Sequence, residues 1–484
     1  MSVVSFVLDG RLVNIDFSDS PYQPTTTVLN YLRSLPDHKG VKEGCAEGDC
    51  GACTVVVGDV GSENRIHYKS IDSCLVFLPM IHGQHLVTVE NLSSADGALH
   101  PVQQAMVETG GSQCGFCTPG IIMSLFSLYK NSNHPDRAEI DDALTGNLCR
   151  CTGYKPIVEA AAKSCVHGGM DHLNEQEDHV AEMLKLIPAT SFHGKATQQE
   201  YFQPVTLSEA LVFKQQHPDA VVIAGATDVA LRVTKRHELL KTVLDLSALD
   251  ELRHYADDAQ AMTLGAGLTL TEVSEKAREP FPALHSMLAV FGSQQIRNLA
   301  TLGGNLGTSS PIGDTLPVLM AYNARVMLAG TAGNREVPVN DYFKGYRQTE
   351  RRADELITGV IIPKLPPNTL VRSYKVSKRK DLDISTVSAG FRLQINPRNN
   401  VVESIRLAYG GMAETTKRAR KVEQFLIGKK WERESIEQAM PLVDTEFTPI
   451  SDARSGAEFR RVAARNLLLK FWHDTNHGKF PEER

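Results

Sequence analysis

The chain of 484 residues has no apolar run near the roughly 20 residues that a membrane-spanning helix needs. The nearest candidate, Val318-Leu319-Met320-Ala321-Tyr322-Asn323-Ala324-Arg325, is broken by Asn323 and Arg325. Its start, Met1-Ser2-Val3-Val4, has no basic segment, apolar core or cleavage site, so no export leader is expected and the protein reads as cytoplasmic. The formal net charge of −6 is mild and spread along the chain, which gives a nucleic-acid partner no footing. No Gly-x-Gly-x-x-Gly fingerprint and no P-loop occur, so neither a Rossmann dinucleotide site nor NTPase chemistry is supported. A chain of this length divides into about three or four domains on the usual size range.

Cysteine, by contrast, is patterned. Of the nine, eight fall into two quartets. Cys45, Cys50 and Cys53 have the C-x4-C-x2-C spacing of a plant-type [2Fe–2S] loop, and Cys74 arrives later as a fourth ligand. Structural zinc sites commonly use two short hooks, whereas this quartet puts three thiols in one loop with Gly44, Gly48 and Gly51. Glycines there can turn backbone N–H groups towards cluster sulfurs. Cys114, Cys117, Cys149 and Cys151 form a C-x2-C and a C-x-C pair, a spacing that alone fits zinc as readily as iron. Disulfides are disfavoured in a reducing compartment. Cys165, the ninth, reads as a small buried apolar residue.

The order of elements supplies the hosts. Residues 3–17 alternate around Asp9-Gly10, a two-residue hairpin signal. A helix over 27–35 capped by Thr25 or Thr26, the cysteine loop, and strands at Thr54–Val57 and Leu86–Val89 follow. This suits a β-grasp ferredoxin over 1–92. From Pro101 the period becomes helical, with helices expected near 102–109, 120–130 and 139–144 and from Pro156. Both cysteine pairs of the second quartet then precede helices, whose N-termini offer N–H groups and positive potential to an anionic cluster. That favours an iron–sulfur cluster in a four-helix bundle over 93–166. Residues 167–200 are polar, include Gly168-Gly169 and read as a linker with one amphipathic stretch near 180–187. Beyond it come an α+β region over 201–368 and, past Pro363, Pro366 and Pro367, an α+β region over 369–484. The whole reads as a multidomain α+β protein.

Single-electron centres need a partner that pairs electrons, which directs attention to a flavin site. Two glycine-rich loops qualify: Ile223-Ala224-Gly225-Ala226-Thr227-Asp228, and Thr301 through Gly303, Gly304 and Asn305 to Gly307. Adjacent glycines let amides approach a pyrophosphate, Thr301, Thr308 and Ser309 add hydroxyls, and Asp314 could accept from ribityl hydroxyls. Plain turn chemistry also explains Gly-Gly pairs.

Several stretches resemble the iron–sulfur/FAD part of xanthine dehydrogenases: Glu43-Gly44-Cys45 with Gly51-Ala52-Cys53-Thr54-Val55, residues 113–120 around Cys114 and Cys117, and residues 146–154 around Cys149 and Cys151. Others are Ile223–Asp228, 300–305, Ser310-Pro311-Ile312-Gly313-Asp314 and Gly345-Tyr346-Arg347. The similarity runs in order along nearly the whole chain. It implies two [2Fe–2S] clusters on the two quartets, and FAD in a fold of the PCMH/VAO kind followed by a C-terminal domain of the CO-dehydrogenase flavoprotein type. By the same resemblance Ile223–Asp228, Thr301, Gly303, Gly304 and Asn305 hold FAD, Asp314 its ribityl chain, and Phe291 lies beside its ring. Lys375 would stand near the ring's N1/C2 edge, where a cation stabilises reduced flavin. Lys378–Asp383 would form a loop that sets access for NAD, with Lys380 departing from the family's pattern. A molybdopterin subunit, in a dimer of heterodimers, would carry the purine chemistry and complete the enzyme. Open beside this are another molybdenum hydroxylase acting on an aldehyde, nicotinate or other heterocycle, and a zinc-stabilised scaffold.

Overall fold

The computed structural model describes residues 2–61, 64–94, 96–167, 169–196 and 198–476. Met1, Gly168 of the expected linker and residues 477–484 of the expected C-terminal domain lie outside the described residues. The chain forms two compact units, Met1–Asp250 with Gly292–Ala300, and Glu251–Phe291 with Thr301–Arg484.

The first unit opens with the hairpin Val3–Leu8 and Arg11–Asp16. Asp9 (φ 48°) and Gly10 (φ 78°) are both left-handed, as the tight hairpin turn demands, and this pins Leu8 opposite Arg11. Helix Val28–Ser34 follows, capped by Thr27 rather than Thr25 or Thr26, its hydroxyl accepting from the Asn30 N–H. The five-stranded sheet runs in the order Arg11–Asp16, Val3–Leu8, His85–Val87, Thr54–Val60, Ile66–Asp72. The last strand in sequence lies parallel beside the first, the β-grasp connection. Strand Ile66–Asp72 escapes the sequence reading because it buries polar Ser70 and Asp72.

Helices Pro101–Glu108, Thr118–Asn131, Arg137–Leu144 and Lys155–Ser164 share one apolar core. The linker expected over 167–200 is corrected here. It carries a fifth helix, His172–Lys185, which buries Leu173, Val180, Ala181 and Leu184 on one face and turns the polar residues outward. Its cap, Asp171, sits buried between His100 and Lys130, each 3.0 Å away. Strand Phe192–Ala196 pairs with Gln199–Gln203, so the expected boundary at 200/201 falls inside a strand. These two, with Thr242–Asp245 and Val221–Ile223, make a second sheet. Its Phe192, Tyr201, Ile223 and Val243 join the core of Val4, Phe6 and Leu32, which keeps residues up to Asp250 in this unit.

In the second unit an antiparallel sheet runs Tyr255–Asp257, Ala261–Gly265, Leu356–Pro363, Arg325–Gly330, Gly333–Pro338. A four-stranded sheet runs Thr369–Val376, Val387–Ile395, Val402–Gly410, Lys417–Arg418. The apolar run near Val318 is helix Thr315–Tyr322, buried at every residue. Helices Arg420–Leu426, Arg433–Glu446 and Ala457–Asn476 close the C-terminal core around Trp431, Phe391 and Phe471. The middle one escapes the sequence reading because Pro441 stands inside it. Among the described residues no helix is long and apolar enough to cross a membrane.

Candidate cofactor sites

Cys45, Cys50 and Cys53 are set in the loop that enters strand Thr54–Val60, and Cys74 lies in the turn Ser73–Leu75 that follows strand Ile66–Asp72. The thiols of this first quartet meet as pairs: Cys53 and Cys74 lie 3.4 Å apart, sulfur to sulfur, and Cys45 is hydrogen-bonded to Cys50. The Glu47 and Asp49 N–H groups donate to the Cys45 sulfur at 3.4 and 3.2 Å. The Cys50 thiol foremost, together with these amides, pulls Cys45 down to about 5 against the opposing effect of burial, which favours a thiolate. Gly44 leaves room for the Cys50 sulfur, which a Cβ there would approach to 2.8 Å. Among the described residues no three ligating side chains gather closely enough to share one ion. Thiols arranged as two pairs suit a binuclear centre, in which two irons divide four cysteines. Asp72, unforeseen from sequence, is buried behind Cys53. Its Oδ1 accepts from that thiol at 3.5 Å, Oδ2 has no partner, and burial pushes the carboxyl up to about 8.

In the second quartet Cys117 caps helix Thr118–Asn131, and Cys149 and Cys151 precede helix Lys155–Ser164. Cys114 is hydrogen-bonded to Cys151 and Cys117 to Cys149, again two pairs. Burial first, and then the Cys149 thiol, pushes Cys117 up to about 12. The Thr152 hydroxyl lies 3.2 Å from the Cys149 sulfur, and the Cys149 N–H donates to the Tyr154 hydroxyl at 2.9 Å. Cys114 and Cys151 are exposed, as are Phe116, Leu148 and Tyr154 close by in sequence.

The two loops touch. The Leu148 N–H, one residue before Cys149, donates to the carbonyl of Cys50 at 3.0 Å. Asn147, 3% exposed, donates from Nδ2 to Gly51 O and Thr54 Oγ1, and accepts at Oδ1 from Ser124 and Gln295. The approach leaves no room for side chains. A Cβ on Gly51 would lie 2.4 Å from Gly146 O, and one on Gly120 2.1 Å from Gly51 O. Ser124 and Gln295 went unnoticed in the sequence, and Asn147 entered only as part of the stretch 146–154.

Of the expected flavin residues, Ile223–Asp228 belong to the first unit. Gly225 is glycine for packing, since a Cβ would lie 1.8 Å from Leu299 O, and Ala226 is left-handed at φ 56°. In the second unit Thr301 caps helix Leu302–Thr308, its hydroxyl accepting from the Gly304 N–H at 3.0 Å. Gly303 packs on Ala266, where a Cβ would come within 2.6 Å, and Asn305 accepts from Thr315 at 2.6 Å. Thus Gly225 and Gly303 answer to protein packing, while the buried Ser309 hydroxyl has no partner and fits an incoming polar ligand. Lys375 is 5% exposed, far from the solvated lysine its alternating strand implies. It lies 3.0 Å from Asp314 and donates to Val290 O at 2.7 Å, next to Phe291. Ser385 donates to the other Asp314 oxygen at 2.6 Å. The ammonium keeps a third N–H and the carboxylate further lone pairs for a ligand. In the Lys378–Asp383 loop Arg379 pairs with Asp383 at 2.7 Å and Leu382 is left-handed at φ 68°.

Three families match: a [2Fe-2S] binding domain over 88–162, an FAD binding domain in molybdopterin dehydrogenase over 194–365, and a CO dehydrogenase flavoprotein C-terminal domain over 372–475. Xanthine dehydrogenase of Emericella nidulans is 33% identical, covering 97% of this chain and 38% of the relative. Xanthine dehydrogenase/oxidase of Gallus gallus is 32% identical, covering 97% and 40%. The chain therefore spans about two fifths of the length of these relatives. Among solved structures, quinoline 2-oxidoreductase from Pseudomonas putida 86 aligns with TM-score 0.54 and 25% identity over 59% of this chain and 99% of that one. A carbon monoxide dehydrogenase chain from Hydrogenophaga pseudoflava aligns with TM-score 0.54 and 22% identity over 57% and 96%, a likeness of fold. The chain is a multidomain α+β protein with a [2Fe-2S] binding domain, a molybdopterin-dehydrogenase FAD binding domain and a CO dehydrogenase flavoprotein C-terminal domain, homologous to the corresponding region of xanthine dehydrogenases.

Proposed function

We propose that the chain is the iron–sulfur/FAD electron-transfer subunit of an NAD-dependent xanthine dehydrogenase. With its groups bound, it would take electrons from purine hydroxylation on a molybdopterin-carrying partner through two [2Fe–2S] clusters and FAD to NAD. Cys45, Cys50, Cys53 and Cys74 would hold one cluster, Cys114, Cys117, Cys149 and Cys151 the other. Residues of both glycine-rich loops, Asp314 and Lys375 would hold FAD, beside Phe291. The same reading takes 1–92 as the ferredoxin-like domain, 93–166 as the helical domain and 369–484 as the C-terminal domain.

One observation carries it: the hydrogen bond from Leu148 N–H to Cys50 O joins the ligand loops of the two quartets. The backbone path from Cys149 to Cys50 crosses space only there. The chain's own groups prepare both ends. Amides aimed at Cys45 favour the thiolate a cluster requires, and the Lys375 ammonium supplies a fixed positive charge in a dry setting. Exposed Cys114 and Cys151, with apolar Phe116 and Leu148, offer the partner subunit an edge from which electrons enter.

Chemical analysis of the holo-chain tests this. Two irons and two sulfides per quartet, one FAD, NADH oxidation with dyes and no xanthine oxidation alone are expected. Zinc with no visible absorption would refute it. A second reading, a heterocycle other than a purine, draws on the likeness to quinoline 2-oxidoreductase. A panel of purines, quinolines, nicotinate and aldehydes given to the complex with its partner separates the two.

A further inference from the structure

The ligand loop of the first quartet has a second attachment besides its seam with Leu148. Helix Ala230–Thr234 continues the loop Ile223–Asp228, where flavin is expected, and belongs to the same unit as both quartets. Its Ala230 is fully buried, and Val229 and Val233 pack on the core that contains Cys53, Cys74 and Leu75. The helix lies against the turn Ser73–Leu75 that carries Cys74. At its other face of contact the Thr234 hydroxyl donates to Ala46 O at 2.7 Å, and Lys235 donates from Nζ to Cys45 O at 3.0 Å. One short helix thus holds two separate ligand-bearing segments.

The loop has use for both donors. Ala46 is left-handed at φ 56°, a conformation that alanine keeps only where its surroundings over-determine it. The Thr234 hydroxyl on Ala46 O supplies part of that constraint. The loop is also acidic, with Glu43, Glu47 and Asp49 around Cys45 in sequence. A [2Fe–2S] centre that takes up one electron gains one negative charge, and its potential follows net charge and hydrogen bonding nearby. Carboxylates oppose that gain. Lys235 offsets them: its ammonium reaches the carbonyl of a ligand residue and stands 3.5 Å from Glu47. The Glu47 and Asp49 amides act in the same sense on the Cys45 sulfur.

Resting on the reading that Cys45, Cys50, Cys53 and Cys74 hold a [2Fe–2S] cluster, we propose that Thr234 and Lys235 are positioning residues for its electron transfer. Thr234 fixes the Cys45–Glu47 segment on the helix that continues the flavin loop. Lys235 supplies a fixed cation that favours the reduced cluster. One electron arrives from the other cluster and leaves to the flavin; no bond forms or breaks and no proton moves.

EPR-monitored redox titration of the cofactor-loaded chain tests it, the first quartet's signal being the one that Cys149→Ser retains. Lys235→Met should lower the reduced-to-oxidised ratio of that cluster at a fixed potential about threefold to tenfold, the upper figure being 59 mV for one electron. Glu47→Gln should raise the ratio, Lys235→Arg should keep it, and the other cluster should stay unmoved in all three. Lys235 and Glu47 are 44% and 39% exposed, so the shifts should shrink in about 1 M salt. Thr234→Val changes no charge; it should keep the potential and speed hydrogen exchange at the Glu47 amide about fivefold, as loss of one hydrogen bond does. An unmoved potential in Lys235→Met, shifts of one sign in Lys235→Met and Glu47→Gln, or unaltered exchange in Thr234→Val would each overturn the inference. Two iron–sulfur signals that ignore these variants refute the two roles and leave the cluster reading standing. A folded Cys149→Ser chain with no iron–sulfur signal refutes the cluster reading, and the inference with it.

Discussion

Replacing Asn147 by alanine removes the clasp between the two cysteine loops. Its amide makes four hydrogen bonds, to Gly51 O (3.1 Å) and Thr54 Oγ1 (3.2 Å) and from Ser124 Oγ (2.6 Å) and Gln295 Nε2 (3.0 Å). The losses are unequal. Gly51 O still accepts from the Thr54 hydroxyl at 2.8 Å and Gln295 still reaches Ser124 at 2.8 Å, but the Ser124 hydroxyl, fully buried, loses its acceptor. One orphaned buried donor is worth about 1–3 kcal/mol and the remaining bonds about 1 kcal/mol together, so local opening becomes easier by about 2–4 kcal/mol. A cofactor-bearing multidomain chain does not unfold in two states, so the measurement must be local. Hydrogen exchange at the Leu148 amide, which donates to Cys50 O, reads it directly. Exchange should accelerate about 30-fold to 1,000-fold. In the complex, substrate-driven flavin reduction should slow while NADH-driven flavin reduction is unchanged. Exchange within about threefold of the wild type would refute the clasp, because surface substitutions alone produce changes of that size.

Gly120→Ala places a Cβ 2.1 Å from Gly51 O, so the chain should fold with one or both clusters missing, read by iron content and visible absorption. Lys375→Met keeps the volume but leaves buried Asp314 without its cation, a loss of about 3–5 kcal/mol; FAD content and protease resistance of the second unit should both fall. Burial pushes His85 down to about 4 from 6.5. Below pH 6.5 the unfolded chain therefore takes up a proton that the folded chain refuses, and this contribution, about 3 kcal/mol, is full above pH 6.5 and lost as pH falls towards 4. His85→Leu should flatten the fall in melting temperature over that window, and an unaltered slope would count against it. Cys149→Ser should remove one cluster's EPR signal and stop substrate-driven NAD reduction in the complex while sparing NADH-driven flavin reduction.

Much of the architecture was legible because local chemistry dictated it. Asp9-Gly10 admits one kind of hairpin turn, and Pro119 and Pro156 sit in the first turns of their helices. Elements were missed where polar residues face inward (Ile66–Asp72), where a mostly polar helix buries only a narrow apolar face (His172–Lys185) or where a proline stands in a helix (Arg433–Glu446). Pattern reading assigns polar residues outward, and a buried pair such as Asp171 with His100 defeats it until the partner is seen.

The cysteine spacings alone set out two quartets, the first with the C-x4-C-x2-C pattern, because metal-binding loops repeat a few spacings. Which thiols pair, and that the sets share a seam, was a tertiary matter. Cys50 and Leu148 are distant in sequence, and only the packing of glycines 51, 120 and 146 brings their backbones within 3.0 Å. Likewise the chain showed Lys375 as one lysine in an alternating strand. Burial against Asp314, which no local pattern encodes, makes it a fixed charge.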